Sequence, residues 1–149
     1  MQEALVPEER NNAWLAARLQ KLHQEYFPDV GLENKIVVKF GRKSRTRFGS
    51  IIAHKEPGEA LPVTYITINS LFRHQIVPEY VIDATLVHEF THYTHGFHSP
   101  RRQLHRHPHK GGIVTLEMKN RGAHHPYLEQ KKWIKQEYRA FLASHYAKS

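Results

Sequence analysis

The sequence predicts a small α+β domain. Two patterns predict it: apolar residues recur at helical spacing at both ends of the chain, and three short β-branched segments lie together between residues 35 and 69. A third feature ties them to chemistry. A long apolar helical pattern follows the strands and carries the pentad His88-Glu89-Phe90-Thr91-His92.

The first helix is predicted over residues 11–27. Leu15, Leu19, Leu22 and Tyr26 fall on one face, Asn11 or Asn12 caps the start, and Pro28 closes the end. Strands are expected at residues 35–40, 48–54 and 63–69, the last being richest in β-branched and aromatic residues. Residues 41–47 and 56–62 supply the turns. A long helix starts at Pro78-Glu79, since proline and an acidic residue both suit a first turn, and it ends near Gly96. A loop rich in histidine and arginine follows over residues 98–109. A shorter helix is expected over 112–120, stopped by Arg121-Gly122. A final amphipathic helix is expected over 126–146, with Leu128, Trp133, Tyr138 and Phe141 among its apolar positions.

Length and composition bound the classes. The 149 residues read as one domain, 1–149, and 40% apolar content is enough for a core. No run of 18 apolar residues exists, so no membrane span is expected. The first nine residues, MQEALVPEE, are acidic and lack the apolar stretch of a secretory signal. The chain has no cysteine, which excludes disulfides, thiol catalysis and a cysteine zinc ribbon, and a cytoplasmic location fits. The net charge of +8 admits nucleic acid as a partner but serves solubility equally well.

The pentad has the form H-E-x-x-H. Residues four apart share a helix face, so the imidazoles of His88 and His92 can reach one cation. Zn2+ accepts neutral imidazole nitrogen at about 2.0–2.1 Å. Glu89, next to the first ligand, suits a general base acting on a water at the metal. With 13 histidines in the chain, a chance match competes with this reading; the apolar helix around the motif favours the site.

A catalytic zinc site needs a third protein ligand. His95 lies seven residues beyond His88, about 10 Å further along a continuous helix, too far to share one ion with it. It is expected in a supporting or surface position. His98 becomes available if Gly96 turns the chain back. His105, His107 and His109 alternate at the end of the loop; His109 stands nearest a new helix, where a ligand is held more firmly. His109 is the first choice and His98 the alternative.

On these residues the chain resembles the SprT-like zinc metallopeptidases, and is also similar to the related YgjP-like proteins. The resemblance runs from residue 35 to residue 122. It is carried by the basic segment Arg42-Lys43-Ser44-Arg45-Thr46-Arg47-Phe48-Gly49-Ser50, the strand around Tyr65-Ile66-Thr67-Ile68-Asn69, and Val81 to His92. It implies a compact zincin-like domain: N-terminal helix, small three-stranded antiparallel sheet, motif helix, then two further helices. It also implies a histidine opening the next helix, which His109 matches, with Ile113 and Glu117 following. The YgjP-like pattern would place the ligand at His98-Ser99. The chain departs from bacterial SprT in having no zinc ribbon, and from the eukaryotic relative in having no added DNA-binding region, so a DNA-linked role carries over weakly.

Two basic groups complete the reading. Arg42, Lys43, Arg45 and Arg47, beside Phe40 and Phe48, can grip phosphates; as an exposed hairpin tip they need no function, and the second view is favoured for this segment alone. Arg101, Arg102 and Arg106 lie close to the motif in sequence. No phosphate-binding glycine loop and no serine nucleophile arrangement is present. The expected function is hydrolysis of peptide bonds by a zinc metallopeptidase acting on a protein or peptide. The alternative is a non-catalytic, zinc-stabilised nucleic-acid-binding module. Tyr93, Tyr127 and the nearby arginines stay open as donors to the developing oxyanion.

Overall fold

The computed structural model describes residues 9–147, so the acidic segment read at the N-terminus lies, all but its last residue, outside the described residues. The chain forms α1 (Asn12–Tyr26), β1 (Ile36–Phe40), β2 (Gly49–His54), β3 (Val63–Ile68), a 3₁₀ turn (Ser70–Arg73), α2 (Glu79–Thr94), α3 (Ile113–Asn120) and α4 (His124–Trp133). A π-helical turn (Ile134–Tyr138) then leads into α5 (Arg139–His145). The α+β class and the order of elements agree with the sequence reading.

The helix starts follow from local chemistry. The Asn11 side chain accepts the Trp14 amide at 2.9 Å and caps α1. Pro78 precedes α2 in extended conformation, with Glu79 in the first turn. Six of the 16 residues of α2 are β-branched (Val81, Ile82, Thr85, Val87, Thr91, Thr94), a poor composition for an isolated helix. Burial compensates, because apolar side chains surround the axis. Val81, Ile82, Leu86, Val87, Phe90 and Tyr93 are all 1% exposed or less, each contributing roughly 1.5–3 kcal/mol by removal from water. Thr85, Thr91 and Thr94 donate their hydroxyls to the carbonyls four residues back, so no buried hydroxyl is left unpaired. The helix that carries the motif is thus the central element, packed on α1, α3, α4, β2 and β3.

The sheet departs from expectation. Its order is β1-β3-β2; β1 runs parallel to β3 and only β2 is antiparallel to it. The predicted all-antiparallel sheet is therefore a mixed one, and the basic segment 41–48 is not a hairpin tip. The physical reason lies in β3. Four of its six residues are buried, so it takes the centre, where both its edges are paired and the face bearing Thr64, Ile66 and Ile68 is covered. Residues 41–48 then have to cross its end. Asn69 holds that crossover: its Nδ2 donates to the carbonyls of Ser44 at 2.7 Å and Arg47 at 2.9 Å.

The C-terminal helix begins at His124, two residues earlier than expected, and is broken into three stretches by the π turn. Tyr138 in that turn donates its hydroxyl to the Arg45 carbonyl, and its ring meets Phe48 at 5.0 Å. Trp133 and Phe141 are buried as expected, whereas Leu128 is 48% exposed. Gln130 donates to the Val81 carbonyl at 2.8 Å and to Thr85 Oγ1 at 2.9 Å, which ties α4 to the motif helix. Among the described residues no helix is long and apolar enough to cross a membrane.

Candidate metal centre and cleft

Helical spacing places His88, Glu89 and His92 at one end of α2, but their surroundings differ. His92 is 1% exposed and Glu89 6%, while His88 opens to solvent. The His88 and His92 rings have centroids 5.0 Å apart. His109, on the exposed loop before α3, brings its ring to 4.6 Å from that of His92. Phe97 packs against both, at 5.4 Å from His92 and 5.3 Å from His109. The three histidines preferred from the sequence are thus gathered in one place.

His98 is not with them. Its Nδ1 accepts the Ala53 amide at 3.1 Å, and its carbonyl accepts the Thr64 hydroxyl at 2.8 Å, so the residue is fastened to the end of the sheet. It adopts φ 51°, a left-handed conformation that costs energy for a residue with a Cβ and that these bonds hold in place. His107 is exposed. His105 meets the His95 ring edge-on instead, at 4.7 Å. His95 itself is neither on the surface nor near the front of the site: it is 2% exposed and its Nε2 donates to Glu117 Oε1 at 2.8 Å. Glu117 also accepts from Arg121 Nε at 3.0 Å, and Arg121 reaches Asp29 at 2.7 Å. This chain of hydrogen bonds and ion pairs fixes the end of α2 to α3 and to the segment after α1. Of the two positions expected for His95, supporting or surface, the structure has the supporting one; its pairing with Glu117 was not foreseen, because a spacing of 22 residues carries no local signal.

The chain reverses at Gly96, with φ +81°. A Cβ there would lie 2.4 Å from the Arg102 carbonyl oxygen, so glycine alone fits. Ser99 Oγ donates to the Tyr93 carbonyl at 2.7 Å and the Leu104 amide donates to the His95 carbonyl at 2.9 Å, which folds residues 97–109 back over the end of α2.

The electrostatics suit cation binding. Burial, then the neighbouring His88, His109 and His95, push the His92 imidazole down to about 3, so it is neutral near pH 7. His88 is lowered in the same direction, by desolvation at its wall of the cleft and then by His109, although the residue as a whole opens to solvent. Neutral imidazole is the form that ligates a metal. Both ring nitrogens of His92 are buried without a hydrogen-bond partner. An unsatisfied buried polar group costs roughly 1–3 kcal/mol, and a cation on one nitrogen removes part of that cost. Among the described residues no three histidine, aspartate or glutamate side chains are already drawn together tightly enough to close on one ion. The orphaned His92 nitrogens and the three-imidazole donor set nevertheless fit zinc.

A cleft of about 470 Å³ opens beside His88 and Glu89, walled by Thr46 to Gly49 on one side and Tyr127 and Gln130 on the other. Burial pushes the Glu89 carboxyl up to about 7, and Arg47 across the cleft opposes that rise. Gly49 permits the close approach of β2: a Cβ there would stand 2.7 Å from Thr85 Cγ2 and 3.3 Å from Glu89 Cγ. Tyr127 faces this cleft. Tyr93 does not: it is fully buried, donating to Asn34 Oδ1 at 2.8 Å and accepting the Glu33 amide at 3.1 Å. Arg101 is likewise engaged elsewhere, its Nε donating to the Thr94 carbonyl at 3.2 Å.

Comparison with protein-family models, curated proteins and solved structures finds no match to this chain.

Proposed function

We propose that the protein is a zinc-dependent metallopeptidase of SprT-like type, with His88, His92 and His109 holding the metal and Glu89 as the general base. The observation that carries this reading is the meeting of three imidazoles beside a buried carboxyl whose pKa is raised to about 7, at the edge of an open cleft. A carboxyl tuned near the working pH both takes and returns a proton readily.

What a zinc ion supplies when held there is Lewis acidity, which polarises a carbonyl oxygen and makes water a better nucleophile. Glu89 takes the proton from the attacking water and delivers it to the leaving amine. Tyr127, in the opposite wall, donates its phenol to the carbonyl oxygen as negative charge develops. Arg47 favours the ionised form of Glu89, against the larger effect of burial. The outer edge of β2, which borders the cleft at Gly49, offers backbone groups to an extended peptide, while His98 caps its far end at Ala53. A cysteine-free chain suits the reducing cytoplasm.

Glu89→Gln is the direct test. Zinc content should stay at the wild-type level while peptide hydrolysis falls by about 10²–10⁴, the usual worth of a positioned general base. Full activity in this variant sinks the mechanism. The second reading, a zinc-stabilised nucleic-acid-binding module without peptidase activity, is favoured by the exposed Arg42 and Arg47 and by the charge of +8. It predicts strongly salt-dependent DNA binding and no Glu89-dependent cleavage.

A further inference from the structure

Next to the cleft lies a second recess, of about 480 Å³, lined among others by Arg42, Lys43, Arg47, Ser50, Thr67 and Asn69. The two share one wall, the strip Thr46 to Gly49, so a side chain leaving the cleft across that strip enters the recess. No aspartate or glutamate lines it.

The segment bearing the cations is built rather than loose. Asn69 holds the Ser44 and Arg47 carbonyls, and Ser44 Oγ accepts the amides of Thr46 at 3.2 Å and Arg47 at 3.1 Å. Two of its cations are committed elsewhere. Lys43 Nζ donates to the Tyr146 carbonyl at 2.7 Å, and Arg45 lies over the Tyr146 ring at 4.8 Å. Arg42 and Arg47 are exposed, and among the described residues neither makes a close ion pair with a carboxylate, although Glu89 feels the charge of Arg47 across the cleft. Arg18 and Arg121, by contrast, are neutralised by Asp83 and by Asp29 and Glu117.

We infer that this recess is a specificity subsite for a carboxylate: the cleft takes peptides with an aspartate or glutamate close to the scissile bond, held by Arg42 and Arg47. The inference rests on the metallopeptidase reading and names its substrate class. A guanidinium fork matches a carboxylate, and two such forks at a recess of side-chain size match one acidic residue. A nucleic-acid backbone needs a run of phosphate contacts instead, and a single recess with two cations outside close ion pairs does not supply one.

The test uses the full chain, zinc-loaded, with Glu89→Gln as a binding form that does not turn substrate over. Short labelled peptides differing only in Glu, Gln or Lys at each position around the cut are titrated by fluorescence anisotropy. At one position the Glu peptide should bind about fivefold tighter than the Gln peptide, the size of a partly screened ion pair, and the gain should shrink with added salt. Adding Arg42→Gln should remove the preference, and adding Arg42→Glu should invert it towards Lys. Circular dichroism checks that both variants fold, and the milder one keeps the test if the reversal does not. Equal binding of all three peptides overturns the inference, as does a preference indifferent to Arg42. Single-stranded DNA displacing the Glu peptide with Arg42-dependent, tighter binding overturns it in favour of nucleic acid. Cleavage by the wild type is read separately. Glu89-dependent cleavage without an acidic preference removes this inference alone; an acidic preference in binding without any cleavage removes the peptidase reading and leaves the carboxylate subsite.

Discussion

Gly96→Ala should damage the protein twice, and the two effects can be measured apart. Gly96 has φ +81°, where a residue with a Cβ loses about 1–2 kcal/mol. The added Cβ would also stand 2.4 Å from the Arg102 oxygen, 2.5 Å from its carbonyl carbon and 2.6 Å from Gln103 Cα. All three are backbone atoms, so relief requires the loop to move, an overpacking cost of about 1–3 kcal/mol. The sum is about 2–5 kcal/mol. Gly58 is an internal control. Its φ is +82°, yet nothing lies within 4 Å of its would-be Cβ, so Gly58→Ala should lose only the conformational part, about 1–2 kcal/mol. Urea unfolding of both variants gives the difference. The displaced loop is the one that brings His109 to His92, so competition with a zinc chelator should show weaker zinc in Gly96→Ala and unchanged zinc in Gly58→Ala. Equal stability losses in the two variants would refute the reasoning about the clash. Unchanged zinc affinity in a destabilised Gly96→Ala would refute the claim that this reversal positions the site.

Metal analysis of the purified chain should find zinc lost or strongly weakened in His109→Ala and retained in His98→Ala; the opposite pattern moves the third ligand to the sheet end. Tyr127→Phe should lower kcat by about 10²-fold with KM little changed, as for loss of one oxyanion donor; an unchanged kcat removes Tyr127 from the chemistry. Burial raises the Glu117 carboxyl, but the hydrogen bond from His95 and the charge of Arg121 more than offset this, so its net shift is downward from 4.5. A depressed carboxylate stabilises the fold above its unfolded value and loses that contribution as pH falls through its folded value. Wild type should therefore lose stability below about 4.5 more steeply than Glu117→Gln, seen by thermal melts across that window; parallel curves would show that the His95–Glu117–Arg121 chain contributes nothing.

Local chemistry made much of this protein legible in its sequence. Asn11, Pro28, Pro78 and Gly96 mark chain ends and turns because their effect is confined to a few neighbouring dihedral angles. The apolar composition of α2 and the β-branched run of β3 likewise report burial directly. The spacing of His88, Glu89 and His92 put them on one helix, since four residues make about one turn. Strand pairing was another matter. That β1 runs parallel to β3 depends on which strand wins the centre of the sheet, and burial of β3 against α2 decided that, not the turn residues at 41–48. The same crossover turned a supposed hairpin tip into a wall between a cleft and a cationic recess, giving Arg42 and Arg47 a shared setting that composition cannot express. His98 and His109 were both compatible with the sequence as partners of His92. Only the folded chain separated them, because the Gly96 reversal fastens His98 to Ala53 and Thr64 and carries His109 onward to His92. Residues within one turn meet by chain geometry alone, whereas residues 17 apart meet only where packing brings the loop.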